Sequence, residues 1–190
     1  LQTFKEFSIE ESGSALGRDL VRFAGASVLA EIVLAHGGPD PNPEVFARLT
    51  AGLRRIKNEE GRDVLPVVLG DGWMLVSALG YEPQLDPCVR CGRPLGGTGL
   101  GRFDFAAGGV CCPDCAVDVT GPRIGPGARK QLASLLQGVQ LEALDRIQAH
   151  LQLLHDFSRY HLGGSKPLQS FSFLASVMVN TEDTQARGVK

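Results

Sequence analysis

The chain has 190 residues, of which 43% are hydrophobic and 21% charged, and its formal net charge at pH 7 is -2. That length allows one sizeable core with a small appended module. A near-neutral charge balance does not mark a nucleic-acid binder, so any such role must come from local patches. Gly, Arg, Asp or Glu interrupts every apolar run before it could span a bilayer, so we do not expect a membrane protein.

The first residues are too few to form a domain. Residues 1–11 mix aromatic and polar side chains, and we expect them to be the end of a strand that leaves a preceding unit. The chain begins with Leu1 and not with methionine, which suggests that an N-terminal part is missing, although processing would also explain it.

Two helices are predicted next. The first runs from Ser14, a good N-cap, to His36, and glycines and a proline at 37–39 stop it. The second begins at 42–44 with a cap, a first-turn proline and a first-turn acid. The predicted inward-facing residues are Val21, Ala24, Val28, Leu29, Ile32, Val33 and Ala35 in the first helix and Phe46, Leu49, Leu53 and Ile56 in the second.

The segment 63–79 fits two structures. Its apolar residues have helical spacing, whereas Gly70-Asp71-Gly72 between apolar runs suits a hairpin turn. We favour a helix, because the surrounding segments are predicted to be helical.

Four cysteines have the spacing of a metal site: Cys88 and Cys91, then Cys112 and Cys115. A thiolate pair two residues apart fits on a tight turn, and two such pairs offer four ligands to one tetrahedral ion. The alternatives are disulfides or unrelated buried cysteines. However, the sequence does not start with a signal peptide that would direct the protein to an oxidising compartment. We predict a structural zinc site, which is closed and does no chemistry itself. Cys111 is assigned as a non-ligand.

The residues around these cysteines are typical of a zinc ribbon. Many glycines and a short alternating run at 102–105 lie between the two pairs. So few large apolar side chains cannot close a core, and bound metal would supply the missing stability.

Helices follow the ribbon. One is predicted at 128–136 and a long one from Leu141 towards Leu162, before an apolar turn near Phe171 and a loose tail at 180–190. The fold class is therefore mainly α, a helical bundle with a four-cysteine zinc ribbon inserted between its third and fourth helices. The predicted divisions are residues 12–85 and 121–179 for the bundle and 86–120 for the ribbon.

Catalytic motifs are missing from the sequence. The glycines at 97–101 are not followed by a helix pattern, and no phosphate-binding Gly-x4-Gly-Lys-Ser/Thr loop is present. His150 and His155 are five residues apart and do not share one helix face, so we interpret them as solvated or core-edge histidines. No nucleophile elbow or carboxylate pair is recognisable, and we expect no enzyme activity.

Several motifs together resemble a known family. They are 79–83 (Leu-Gly-Tyr-Glu-Pro), 88–92 (Cys-Val-Arg-Cys-Gly), 108–115 (Gly-Gly-Val-Cys-Cys-Pro-Asp-Cys) and 159–163 (Arg-Tyr-His-Leu-Gly). The first three resemble the central signature of the bacterial DNA repair family RecO, and the last is similar to its closing helix.

The resemblance implies a recombination mediator of the bacterial cytoplasm, acting at the nucleoid. Such proteins begin with an OB-fold, which we expect this chain to lack except for its last strand. They bind and anneal single-stranded and double-stranded DNA, and with RecR they help load RecA onto strands coated by the single-strand-binding protein. Some members lack the cysteines, which implies that the metal is a stabiliser. The alternative is a structural zinc-ribbon scaffold in a transcription or translation assembly.

Basic residues in and after the ribbon are the candidate DNA contacts. From 88 to 130 there are six basic residues against three acids, and a zinc ion with four thiolates subtracts two charges. The alternative is an ordinary solvated surface. The candidates are Arg90, Arg93, Arg102, Arg123, Arg129 and Lys130.

A partner site is predicted on the closing helix. The resemblance implies that the protein docks the acidic, apolar-tipped tail of the single-strand-binding protein, which needs an apolar groove and a cation. Arg159 and Lys166 are the candidate cations. Leu154, Phe157 and Leu162 could supply the groove, or they could simply complete the core.

Overall fold

The structure, a computed structural model, describes residues 6, 8–9, 12–36, 40–60, 64–96, 99–139, 141, 143–162 and 167–187, with backbone alone from 179 onward. The predicted strand end at 1–11 lies mostly outside the described residues.

The chain is mainly helical, as predicted, and a small antiparallel sheet of order β2-β1-β3 interrupts it between the third and fourth helices. The helices are α1 Leu20–His36, α2 Pro43–Asn58, α3 Val64–Ala78, α4 Pro126–Leu136, α5 Ile147–His161 and α6 Gln169–Arg187. The strands are β1 Gly101–Asp104, β2 Gly109–Cys111 and β3 Arg123–Ile124.

Helix α1 begins later than predicted, and Ser14 is not its cap. The Asp19 carboxylate accepts a hydrogen bond from the Arg22 N–H at 2.8 Å, while Leu16–Arg18 form a separate 3-10 turn. Serine and aspartate cap equally well, so residue type alone could not separate the two positions. The cap of α2 is confirmed, because the Asn42 side chain accepts from the Val45 N–H at 3.1 Å.

The buried face of helix α2 agrees with the prediction only in part. Phe46 is 71% exposed, so its inward assignment is wrong. The buried stripe runs through Val45, Gly52 and Ile56. A Cβ on Gly52 would lie 2.9 Å from Leu29 Cδ1, so the glycine allows α1 and α2 to approach closely. Of the other predicted inward residues, Val21, Ala24, Val28, Leu29, Ile32 and Ile56 are buried, Val33, Leu49 and Leu53 are half-buried, and Ala35 is exposed.

Helix α3 is the centre of the bundle. It is one continuous helix, so the helical interpretation of this segment is confirmed and the hairpin is not formed. Its residues are buried almost all round, including Trp73, because α1, α2, α4 and α5 all pack against it. A helix that is apolar on every side belongs inside a protein.

The last two helices differ in extent from the prediction. Helix α5 starts at Ile147, not near Leu141, because Arg146 adopts a left-handed conformation (φ 50°) that ends the preceding loop. The apolar residues near Phe171 belong to a full helix, α6, and not to a single turn. That helix continues past Asn180, where the sequence predicted a loose tail, as far as Arg187.

The ribbon shares its core with the helices. Phe103 of β1 is fully buried, with its ring centroid 5.7 Å from that of Phe157 on α5, and the Phe157 ring lies 5.3 Å from Trp73. Their buried side chains belong to one apolar cluster. The sheet therefore depends on the bundle as well as on its cysteines.

Candidate metal centre and basic surface

The four paired cysteines meet at one point. The sulfur atoms of Cys88, Cys91, Cys112 and Cys115 all lie within 4.8 Å of one another, and the Cys91 and Cys112 sulfurs are 3.8 Å apart. Four sulfurs placed tetrahedrally at about 2.3 Å from one Zn²⁺ would be about 3.8 Å apart. The arrangement could therefore hold a metal ion of that size.

Backbone turns place the first pair. The Cys88 N–H donates to the Arg93 carbonyl at 2.9 Å, and the Gly92 N–H donates to the Cys88 carbonyl at 2.9 Å. Gly92 has φ 70°, a left-handed conformation that glycine adopts without strain. These bonds close a tight loop and bring Cys91 back beside Cys88.

The second pair lies on a 3-10 turn. Pro113–Cys115 form this turn, with the Cys115 N–H donating to the Cys112 carbonyl at 3.1 Å. The Cys112 N–H also points at the Cys88 sulfur, 3.2 Å away, and so links the two pairs. Backbone N–H groups directed at sulfur are what a metal-bound thiolate requires.

Local hydrogen bonds set the acidity of these thiols. Burial opposes ionisation of Cys88, but N–H groups of Cys112, Cys91 and Arg90 outweigh it and lower the pKa of Cys88 to about 6. Hydrogen bonds to the sulfurs of Cys112 and Cys91 raise the pKa of Cys115 to about 12. A divalent cation bound by the four sulfurs would favour their ionisation.

Cys111 differs from the other four. It is fully buried and does not belong to the group of four sulfurs. Burial, followed by the nearby Asp104 carboxylate, raises the pKa of Cys111 to about 11, so it stays a thiol. This placement agrees with its assignment as a non-ligand.

Arg90 is committed to the ribbon. Its guanidinium bonds Asp104 at 2.8 Å and Asp118 at 2.6 Å, and it also donates to the Cys115 carbonyl at 3.1 Å. Hydrogen bonds to Asp118 and then Asp104 raise the pKa of Arg90 further above its usual value. Arg90, which was predicted to contact DNA, therefore connects the first cysteine pair to the end of the second pair. Sequence reasoning counted Asp104 and Asp118 only as charges and did not find this role.

Three more of the six predicted DNA contacts have partners within the protein. Arg129 is buried and donates to the carbonyls of Gly96 and Gly99, both at 2.8 Å, so its side chain is not a surface group. Arg93 pairs with Asp114 at 2.7 Å on the surface. Arg102 donates to the Gly121 carbonyl at 2.8 Å.

Arg123 and Lys130 are the exposed candidates. Neither side chain has a hydrogen bond or ion pair within the described part of the chain. Arg102 and Arg123 are cross-strand neighbours on β1 and β3, which brings two like charges together. Arg146 is a further exposed cation, and together with Arg123 it lines a cavity of about 310 Å³. No sequence signal marked Arg146, because only the packing of α5 brings it there.

The predicted partner groove is filled by the core. Leu154, Phe157 and Leu162 are buried, so the core interpretation of these residues is confirmed. Arg159 is exposed on α5. Lys166 lies outside the described residues.

None of the helices in the described ranges is both long and apolar enough to cross a bilayer.

Comparison with known proteins gives one consistent result. A family model described as the C terminal part of recombination protein O matches residues 17–170. The DNA repair protein RecO of Desulfatibacillum aliphaticivorans is 33% identical over 188 residues, which cover 92% of this chain and 70% of that protein. RecO of Synechococcus elongatus is 28% identical over 190 residues, covering 90% of this chain and 69% of that protein.

A third relative covers less. RecO of Symbiobacterium thermophilum is 34% identical over 140 residues, covering 73% of this chain and 55% of that protein. The family model spans every element from α1 to α5 and includes both cysteine pairs. The chain belongs to the RecO family and has a role in DNA repair and recombination.

Proposed function

We propose that the chain acts as a recombination mediator by binding, and not by catalysis. It binds and anneals single-stranded and double-stranded DNA, and with RecR and the single-strand-binding protein it helps load RecA in the bacterial cytoplasm. Membership of the RecO family is the observation that carries this proposal. The closed arrangement of four cysteines fits a supporting role better than a reactive one.

Zinc is the metal that suits the cluster. Four sulfur ligands in one compact group favour Zn²⁺ over hard cations such as Mg²⁺, which prefer oxygen. Cys88, Cys91, Cys112 and Cys115 would hold it, and the ion would supply folding stability to the ribbon.

The proposed DNA contact lies on residues 123–130, where the chain leaves the ribbon and enters α4. Arg123 and Lys130 are the main candidates on this surface, because they are exposed and their side chains have no partner within the described ranges. Arg93 and Arg102 remain secondary candidates, since each would have to share its guanidinium with a bond it already makes. Arg90 and Arg129 are proposed to support the ribbon instead.

Salt dependence of binding tests the proposal. Each phosphate contact lowers the slope of log affinity against log salt by about 0.7 for single strands. Replacing Arg123 and Lys130 together by Gln should therefore make the slope shallower by about one unit or more. Fluorescence anisotropy of a labelled single strand at several salt concentrations measures it.

Arg159→Gln is the matched control, because that arginine is exposed in the last turn of α5 and does not belong to β3 or α4. An unchanged slope in the double variant, with the wild-type chain binding DNA normally, would move the DNA contact elsewhere. If the wild-type chain showed no salt-dependent binding, the proposal that this part of the protein binds DNA would be wrong.

The docking of the single-strand-binding protein stays a proposal on charge alone. Arg159 is exposed and could pair with an acidic tail, and Lys166 is its proposed companion. Replacing both should weaken a tail peptide in calorimetry without unfolding the chain. Equal affinity in a folded double variant would place that contact on another surface.

A further inference from the structure

An aromatic stack joins the ribbon to α5. The rings of Phe105, which directly follows β1, and Tyr160, on α5, have centroids 6.3 Å apart and planes inclined by 26°. Phe105 is half-buried, and its ring also lies 5.4 Å from that of Phe103, which is fully buried. Tyr160 is 58% exposed. The stack therefore extends from the shared core to the surface.

Hydrogen bonds hold the Phe105 ring in place. Asp104 is 5% exposed, and its Oδ1 accepts from the N–H groups of Ala106 and Ala107, both at 3.1 Å, which fixes the turn after β1. The Phe105 carbonyl accepts a hydrogen bond from His161 on α5. The turn is thus tied to the helix that carries the other ring of the stack. A ring that is positioned in advance loses little conformational entropy when it binds.

Tyr160 keeps most of its surface exposed although two other rings contact it. Its ring stacks on Phe105 and meets His161 edge-on, with centroids 5.0 Å apart and planes at 71°. Aromatic side chains that complete a core are mostly buried, as Phe103 and Phe157 are. An exposed ring beside a second one offers an aromatic surface to a further planar group.

A row of contacts connects this stack to the proposed DNA contact. Arg123 is exposed and lies opposite Arg102 on the neighbouring strand. Arg102 donates to the Gly121 carbonyl at 2.8 Å. Gly121 in turn packs against Phe105, because a Cβ built on the glycine would lie 3.4 Å from the Phe105 Cε2 atom. A strand whose phosphates contact the two arginines would therefore bring a base towards the stacked rings.

We propose that Phe105 and Tyr160 form a stacking platform for one unpaired nucleobase of single-stranded DNA. The inference rests on the proposed DNA binding and deepens it, because it assigns part of the affinity to a base and not to phosphates. Every base has a π-face, so the platform accepts any sequence. A base within an intact duplex is already stacked and paired, so the platform distinguishes single strands from double strands.

Two labelled single strands of equal length test the platform, one of thymidines and one of abasic residues that keeps every phosphate. Fluorescence anisotropy measures their binding to the full 190-residue chain. Tyr160→Ala should bind the thymidine strand about tenfold more weakly than the wild type does, which is a typical effect of removing one ring from a stacked base. It should bind the abasic strand with the wild-type affinity, because the phosphate contacts are unchanged.

Salt dependence separates the platform from the phosphate contacts. Tyr160→Ala removes no cation, so the slope of log affinity against log salt should keep its wild-type value. Replacing Arg123 and Lys130 makes that slope shallower instead. A blunt-ended duplex should bind Tyr160→Ala and the wild type alike, and a tenfold loss for the duplex would overturn a platform for unpaired bases.

Tyr160→Phe and Phe46→Ala are the matched controls. The first keeps the ring and removes only the hydroxyl group. The second removes an aromatic ring that is 71% exposed on α2 and does not belong to the stack. Both should bind the thymidine strand as the wild type does. Equal weakening in Phe46→Ala would overturn the platform, because the loss would then not depend on the stack.

Photocrosslinking adds a measurement on the wild-type chain that does not depend on the folding of a variant. A strand that carries iodouracil forms a covalent adduct with an aromatic ring that contacts the base. Mass spectrometry should place the adduct on Tyr160 or Phe105. Adducts at other residues alone would overturn the platform.

The two strands also tell a failure of the platform from a failure of DNA binding. If the wild type binds both strands equally and in a salt-dependent way, the DNA contact stands and the platform is wrong. If the wild type binds neither strand, both proposals are wrong. Unchanged DNA affinity in Tyr160→Ala, together with weaker binding of the acidic tail peptide, would assign the ring to the partner contact instead.

Discussion

Gly72 on α3 lies so close to Leu154 on α5 that a Cβ built on the glycine would come within 2.6 Å of the Leu154 Cδ2 atom. Leu154 is fully buried, so it has little room to move away. Gly72→Ala should therefore lower the free energy of unfolding by about 1–3 kcal/mol, the usual cost of overpacking a core. Urea denaturation followed by circular dichroism measures it.

Gly70→Ala is the matched control in the same helix. A Cβ there would meet only Leu135 Cδ2, at an ordinary contact distance of 3.7 Å. Alanine is the better helix former by about 1 kcal/mol, so this variant should be as stable as the wild type or more stable. If Gly72→Ala were stabilised equally, the close approach of α3 and α5 would be wrong.

The metal is predicted to bind four of the five cysteine thiols and not the thiol of Cys111. Cys91→Ser and Cys112→Ser should lose stoichiometric zinc and loosen the ribbon while the helices persist, because each removes one member of the cluster. Cys111→Ser should retain the metal. Elemental analysis decides this, and near-ultraviolet against far-ultraviolet circular dichroism separates ribbon from helix. Full zinc in Cys112→Ser with loss in Cys111→Ser would show that the wrong thiol was assigned.

What the sequence could predict was local. The cysteine spacing depends on two tight turns, and the cap at Asn42 depends on a bond to Val45 three residues away. Both kinds of pattern were recognisable without a fold. Helix α3 was also predictable, because its neighbours were helical and it is apolar on every side.

What the sequence missed depends on contacts far apart in the chain. Arg129 reaches carbonyls at Gly96 and Gly99, about thirty residues earlier, and nothing near it in sequence indicates that it is buried. The outward position of Phe46 follows from the approach of α1 at Gly52. Arg123 and Arg146 line one cavity although they are more than twenty residues apart in sequence, so the two arginines could not be connected in advance.

An ion pair inside the bundle gives a further prediction. Asp71 on α3 is 4% exposed, and the guanidinium of Arg55 on α2 pairs with both of its carboxylate oxygens, through Nε at 3.1 Å to Oδ2. Asp71→Ala should lower the free energy of unfolding by about 2–3 kcal/mol, since it removes a buried charge-assisted pair whose arginine still reaches solvent. Denaturant titration measures it.

The surface pair between Arg48 and Glu44 provides the comparison. It joins exposed side chains one helical turn apart on α2, at 3.0 Å. Arg48→Ala should change the free energy of unfolding by about 0.5 kcal/mol or less. An equally small change in Asp71→Ala would mean that the interior pair contributes no more than a surface one.

The last prediction concerns acid. His161 on α5 packs among aromatic rings, 4.3 Å from the Phe157 ring centroid and 5.3 Å from that of Tyr81. Burial lowers its pKa, and a hydrogen bond to the Phe105 carbonyl only partly offsets this. Since the unfolded chain then binds a proton more readily than the folded one, the contribution of His161 to the free energy of unfolding is complete above about pH 6.5 and is lost as pH falls below it.

His161→Gln should therefore show a shallower loss of stability between about pH 6.5 and pH 5. Parallel pH curves for the wild type and His161→Gln would show that His161 titrates alike in the folded and unfolded chains.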